Sequence, residues 1–369
     1  MYPSVTVLNL RRSLVSLSVG LGLSLPWVAQ PQTVRRAHRR TVRYTGQTWI
    51  AKPVAFGLGS EDITAGEDPV LRQAAVDALG DRNGTAVVVD PNTGRILAMV
   101  NQRLALSAQY QPCSTTKLAV ALAALGHGVV TENQPVHIAR HDSATMVEAM
   151  AYSINAYFEA LGRRMGFDAV TDFEREVGLG ERAGWNIPGE QPGQVPTEPG
   201  PGGVSKLSSF GEGVYISPLQ LAALATAIAN GGTLYYLQHP TSPAQVADFT
   251  PRIKRHLNIA NYTPVVKDGM LAAVMYGTAR GARERGEQIL GKTGTCSRDG
   301  IRFGLFVSYL GIEHPQLVVV VILRGNGSVS GPRAADVAGK IYRALDRERL
   351  FTAEARPSAW PALMLPGGY

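Results

Sequence analysis

Cysteine is almost missing: the 369 residues hold two. Two thiols cannot build a disulfide-dense scaffold or fill a four-ligand zinc site, though they allow one bridge if the chain is exported. Long apolar runs are scarce as well. Beyond the N-terminal segment no stretch reaches the roughly 18 apolar residues of a spanning helix. No internal repeat and no Gly-x-y period occurs, despite 40 Gly and 23 Pro, so solenoids and collagen are excluded. Acidic residues are absent from 1–43, which carries Arg11, Arg12, Arg35, Arg36, Arg39, Arg40 and Arg43. The whole net charge of +7 therefore sits in that tail, and the rest balances. A balanced body gives no electrostatic footprint for nucleic acid, and no such partner is expected.

What is present is globular. Hydrophobic residues make up 45% and charged residues 18%, enough apolar material for a sizeable core. Length alone is a soft prior for two or three domains, or one large one. Arg11-Arg12 precede the uncharged, Leu/Val/Ser/Gly-rich stretch Ser13 to Gln30, which reads as an export signal or an N-terminal anchor. "LRRSLV" is similar to a twin-arginine signal. The boundaries expected are 1–30 for this segment, 31–65 for a basic linker, 66–350 for the folded domain and 351–369 for a loose tail.

Regular patterning begins at Asp68-Pro69, a helix cap and first-turn proline ahead of Val70, Leu71, Ala74, Ala75 and Leu79. "TAVVVDPNTGRILAMV" then reads as a hairpin with its turn at Asp90 to Gly94. Helical patterns fill the middle, notably 218–230. Strands are predicted at 303–310 and 317–323, followed by a helix from about Pro332 to Leu345. The first and last strands should share one antiparallel sheet covered by helices, an α+β fold.

Three short motifs carry potential chemistry. Ser114-Thr115-Thr116-Lys117 opens a helical run, so a hydroxyl and an amine three residues apart share one face. There Ser114 lies in the positive field of a helix N-terminus. A desolvated lysine with a lowered pKa can take the serine proton. Taken alone, the pattern also fits a capping serine and a solvated lysine. Ser153-Ile154-Asn155 alone reads as a helix cap, and beside the first motif as a second hydroxyl plus an amide. Lys292-Thr293-Gly294-Thr295 fits an edge strand whose glycine admits a ligand to the backbone, with a lysine and hydroxyls for a carboxylate.

Three matches are decoys. Gly286 to Thr293 fits the P-loop pattern, but "ARGARERGE" precedes it instead of a buried strand, and another strand follows instead of a helix. Gly178, Gly180 and Ala183 mimic a dinucleotide fingerprint after a charged helical segment. His137 and His141 have metal-like spacing, but Pro135 opposes a helix there, so no metal and no cofactor is expected.

Ser-x-x-Lys, Ser-x-Asn and Lys-Thr-Gly, in that order, resemble the signature of penicillin-recognising serine enzymes. "YQPCSTTK", "VGLGERAGWNIPGEQPGQVP", "GEGVYISPLQLAALATAIANGG" and "GKTGT" are similar to successive blocks of the penicillin-binding protein transpeptidase domain, over roughly 65–345. The resemblance implies a five-stranded antiparallel sheet plus an all-helical lobe. It also implies roles. Ser114 is the nucleophile, Lys117 the general base and Ser153 the proton relay. Asn155 holds the substrate amide; Lys292, Thr293, Gly294 and Thr295 bind the terminal carboxylate. The oxyanion lies between the backbone N–H groups of Ser114 and Thr295. The implied substrate is a peptidoglycan stem peptide, with β-lactams as covalent inhibitors. Glycan polymerisation then falls to a separate glycosyltransferase, and the implied location after export is the periplasm or the outer face of the cytoplasmic membrane, with or without an N-terminal anchor.

Two departures stand out. The family places glycine before the nucleophile and alanine after Lys-Thr-Gly-Thr; this chain has Cys113 and Cys296. Since the two backbones meet at the implied oxyanion hole, a Cys113–Cys296 disulfide is expected. Carbapenem-hydrolysing class A β-lactamases have a similar bridge. That alternative lacks support from any E-x-x-L-N motif, and Asn155 departs from the S-x-V of class D enzymes. D,D-carboxypeptidase, β-lactamase and a non-catalytic sensor remain the alternatives to transpeptidase.

Overall fold

A computed structural model describes residues 61–108 and 110–347. The expected export segment, the basic stretch up to residue 60 and the tail 351–369 lie outside the described residues.

Helix α1 (Pro69–Leu79) starts where the carboxylate of Asp68 accepts the N–H groups of Val70 and Leu71, at 2.9 and 3.0 Å. Strands β1 (Gly84–Val89) and β2 (Ile96–Val100) form the expected hairpin. Its turn is held by Asp90, which accepts from Asn92 N and Thr93 Oγ1, and closed by Gly94 at φ 73°. The helical middle comprises α2 (Lys117–Gly126), α3 (Met146–Ala151), α4 (Asn155–Met165), α5 (Phe167–Glu176), α6 (Gly203–Phe210), α7 (Pro218–Ala229) and α8 (Thr263–Met275). Three strands follow, β3 (Ile289–Arg298), β4 (Ile301–Leu310) and β5 (Leu317–Gly325), then helix α9 (Gly331–Arg347). The strands run a little longer than periodicity alone indicates.

The five strands form one antiparallel sheet in the order β2-β1-β5-β4-β3. First and last segments of the domain thus meet at β1 and β5. Both faces are covered, which explains near-continuous apolar runs such as "LVVVVIL" in place of alternation. On one face Ala86, Val88, Phe306, Val319 and Val321 pack with Leu71, Ala75, Ile341 and Tyr342 of α1 and α9. On the other, Val87, Val89, Leu305, Val307, Val318 and Val320 pack against the helical lobe. Each fully buried valine or leucine contributes roughly 1.5–3 kcal/mol. Within the lobe, α2 is buried from Lys117 through Leu125 and α7 over its full length. A helix apolar on all sides must lie inside other helices.

Within the stretch read as linker, Asp62 already accepts from Asn101 N, Gln102 N and Arg72. Glu67, also buried, accepts from Met99 N, Arg72 and His239 Nε2. These carboxylates clamp the chain entry to the β2 edge. The site described next lies at the opposite edge, on β3.

Candidate active site

The decoy lysine is placed first by strand geometry. Lys292 stands inside β3, paired with Val307 of β4, and not in a strand-to-helix loop. β3 is an edge strand, so one row of its backbone groups faces away from β4. Lys292, Gly294 and Cys296 alternate onto the face toward the lobe. Gly294 allows close approach: a Cβ there would crowd Pro112 O at 3.0 Å and Thr115 Cγ2 at 3.2 Å. That contact joins β3 to the turn bearing Ser114.

This turn is a 3-10 segment, Cys113–Thr116, continuous with α2. Pro112 O accepts from Thr115 N (3.1 Å) and Thr115 Oγ1 (2.6 Å). Cys113 has φ 52°, a left-handed conformation that glycine adopts without strain. It is bonded to Cys296, with Cα atoms 5.8 Å apart. The expected disulfide is therefore present, and it ties the residue before Ser114 to the residue after Thr295.

Ser114 is 7% exposed, while Lys117 and Lys292 are wholly buried. Lys117 Nζ lies 3.0 Å from Ser114 Oγ, 3.0 Å from Ser153 Oγ, 2.9 Å from Ser153 O and 2.6 Å from Asn155 Oδ1. Ser153 O and Asn155 Oδ1 can only accept. A neutral amine satisfies both with its two N–H bonds and keeps a lone pair for a hydroxyl proton. Burial, followed by the charge of Lys292, pushes the Lys117 amine down to about 6, with Glu159 opposing. Lys292 donates to Ser153 Oγ (2.9 Å) and Thr293 O (3.1 Å), and burial lowers it to about 7. Ser153 Oγ thus bridges two amines.

Ser153 departs from the expected cap. Helix α4 begins at Asn155 with Ile154 as its N-cap, and no side chain caps it. Ser153 sits before it at φ 57° between α3 and α4. This strained conformation, of the kind concentrated at functional sites, turns both its carbonyl and its hydroxyl toward Lys117. Asn155 gives its oxygen to Lys117, which leaves its NH2 for a ligand carbonyl.

Thr293 and Thr295 alternate to the other face of β3. Thr293 Oγ1 lies 2.7 Å from Thr278 Oγ1, and Thr295 Oγ1 accepts from Gly331 N at the start of α9 (2.8 Å). Thr295 retains its hydroxyl proton, and so does one member of the Thr278–Thr293 pair. Either proton can be donated to a carboxylate at the strand edge. His137 lies instead on a separate two-stranded hairpin, its Nδ1 3.0 Å from Ser143 Oγ.

Sequence reasoning missed two neighbours. Thr278, beyond α8, has no motif of its own. Glu174 on α5 is 1% exposed and accepts from Thr116 Oγ1 at 2.7 Å; burial pushes its carboxyl up to about 7. Its signal was available, because Val170, Glu174 and Val177 recur on one helical face and so place the carboxylate on the buried stripe.

A neutral Lys117 and a charged Lys292 coexist over a narrow range. If acylation of Ser114 needs both, its second-order rate constant rises as pH passes about 6 and falls as it passes about 7. A bound carboxylate favours the Lys292 ammonium, so the falling limb of the saturated rate should move to higher pH. Stopped-flow acylation between about pH 5 and 9 checks this, and a flat profile contradicts it.

Comparison with known proteins places the chain among relatives. The family model described as the penicillin binding protein transpeptidase domain matches residues 84–343. Stage V sporulation protein D of Bacillus subtilis is 27% identical over 316 residues, covering 70% of this chain and 48% of that protein. Peptidoglycan D,D-transpeptidase MrdA of Acinetobacter baumannii is 26% identical, covering 77% and 55%. The chain spans about half the length of the curated relatives it matches. Among solved structures, the transpeptidase domain of Burkholderia pseudomallei penicillin-binding protein 3 superposes with TM-score 0.69 at 22% identity, covering 81% of this chain and 99% of that one. Pseudomonas aeruginosa PBP2 in complex with WCK 5153 gives TM-score 0.65 at 25% identity, covering 80% of each.

Proposed function

The chain belongs to the penicillin binding protein transpeptidase domain family, and from that membership we propose that it is a peptidoglycan D,D-transpeptidase, crosslinking stem peptides through a Ser114 acyl-enzyme. The observation that carries the proposal is the buried Lys117 amine, poised neutral 3.0 Å from Ser114 Oγ. Lys117 takes the Ser114 proton as the oxygen attacks the carbonyl of the penultimate D-alanine. Ser153 returns a proton to the departing D-alanine nitrogen. The Asn155 NH2 holds the peptide carbonyl, while Lys292 with Thr293 and Thr295 receives the terminal carboxylate. The oxyanion is held by the N–H groups of Ser114 and Thr295, whose neighbours Cys113 and Cys296 are bridged. A second stem-peptide amine then resolves the ester. β-Lactams acylate the same serine.

The chemistry belongs outside the cytoplasm, so the arginine-led segment 11–30 is read as an export signal or anchor, 66–350 as the catalytic domain, and glycan polymerisation as the task of another protein. Among the described residues, the side chains hydrogen-bonded to Ser114 Oγ or Lys117 Nζ are each other, Ser153 and Asn155. Glu159 reaches Lys117 only through its charge and Glu174 is engaged by Thr116, so no carboxylate hydrogen-bonds the nucleophile or its base, which supports an acyl-enzyme that waits for an amine. Incubation with a pentapeptide donor and an amine-bearing stem acceptor should yield crosslinked dimers by mass spectrometry. Trimmed tetrapeptide alone would show a carboxypeptidase instead.

A further inference from the structure

Two tyrosines stand exposed at the rim of this site. Tyr152 is 56% exposed and Tyr276 44%, with ring centroids 5.9 Å apart and planes tilted by 48°. Both are placed by well-anchored backbone. Tyr152 N donates to Glu148 O at the end of α3, and Tyr276 N to Ala272 O at the end of α8. The two helix ends are docked together: Thr278 N donates to Ala151 O at 3.0 Å. Gly277 permits that approach, since a Cβ there would lie 2.2 Å from Ala151 O. The pair is tied to the chemistry on both sides. Tyr152 immediately precedes Ser153, and Thr278, two residues past Tyr276, bonds Thr293.

A scattered exposed aromatic needs no explanation, but a rigid exposed pair beside a reaction centre is a binding surface in form. Its charge points to a cation. Glu148 is exposed one helical turn before Tyr152, with one carboxylate oxygen engaged by Thr145. Desolvation, then Tyr152, then Glu148 raise the Tyr276 phenol, which places all three groups in one electrostatic neighbourhood. Ring faces and a carboxylate together favour an ammonium.

Resting on the transpeptidase reading, we propose that Tyr152 and Tyr276, with Glu148, form the acceptor subsite, which holds the amine-bearing stem peptide. Microscopic reversibility gives the direction of approach. The nitrogen that attacks the acyl-enzyme must enter where the D-alanine nitrogen left, on the Ser153 side. In resolution an ammonium held there first gives one proton to solvent; the neutral acceptor nitrogen then forms the new C–N bond, and the bond from the acyl carbon to Ser114 Oγ breaks. The proton lost by nitrogen passes to Ser153, whose own proton passes to the Lys117 amine and from there to Ser114 Oγ. The enzyme is returned unchanged. The tyrosines touch the acceptor and leave donor binding alone.

The test is the partition of the acyl-enzyme between an amine acceptor and water. In Tyr152→Ala/Tyr276→Ala, the aminolysis-to-hydrolysis ratio should fall on the order of tenfold. Penicillin acylation of Ser114 should stay within about twofold of wild type, because no acceptor takes part. Tyr152→Phe/Tyr276→Phe keeps the ring faces and should retain the ratio, and Glu148→Gln should raise the acceptor KM. An unchanged ratio in the alanine pair overturns the subsite. A ratio and acylation rate that fall together also overturn it, by assigning the tyrosines to the donor. Failure of the wild type to form any acyl-enzyme is a different result, and it removes the transpeptidase reading itself.

Discussion

Lys117→Met should abolish acylation of Ser114 in practice while leaving the fold intact. Loss of a general base in direct contact with the nucleophile costs about 10²–10⁴-fold, and among the described residues no second amine is placed to replace it. Lys292, the other buried amine, bonds Ser153 Oγ and Thr293 O. Stability should respond in the opposite sense. The Lys117 amine falls from an ordinary value of 10.5 to about 6 on folding. Holding it neutral at pH 7 therefore costs the folded state about 5 kcal/mol. Methionine removes that cost and leaves Ser153 O and Asn155 Oδ1 without their donor, so the variant should melt no lower than wild type. The sign of the pH dependence follows. Between about 6 and 10.5 the unfolded chain binds a proton at this lysine that the folded chain does not, so this group adds stability as pH rises. The variant should lack that component. Acylation rates and denaturant midpoints across pH read both effects.

Removal of the Cys113–Cys296 bridge should have the largest effect on stability. The bonded residues are 183 apart in sequence, and the chain-entropy account of so long a loop gives about 5 kcal/mol. Cys113→Ala/Cys296→Ala should lose most of this. Cys113→Gly/Cys296→Ala should lose about 1 kcal/mol less, because glycine accepts the φ of 52° that alanine resists. Urea unfolding of the two variants beside the oxidised wild type checks the order. Acylation should weaken in both, since the bridge joins the nucleophile turn to β3.

Much of this was legible in the sequence, for stated reasons. The hairpin at Asp90 to Gly94 is local turn chemistry, α1 announces itself through Asp68-Pro69, and α7 through its helical apolar pattern over 218–230. The three motifs could be read as one site because their order matched a resemblance; spacing alone left each with an ordinary helix or strand reading. The strain at Cys113 and Ser153 was not legible. A left-handed non-glycine residue is imposed by its surroundings, here a bridge and two lysines, and has no local signal. The outward turn of Thr293 and Thr295 follows from strand alternation, which motif reading ignores. The tyrosine pair depends on α3 and α8 meeting at Gly277, a contact between residues more than a hundred positions apart.

The central claim is that Ser114 becomes an ester. Wild-type protein mixed with benzylpenicillin should gain the mass of the intact drug, and peptide mapping should place it on Ser114. The adduct should persist for minutes or longer and be absent from Ser114→Ala. An unmodified chain, or an adduct carried by another residue, would contradict the account.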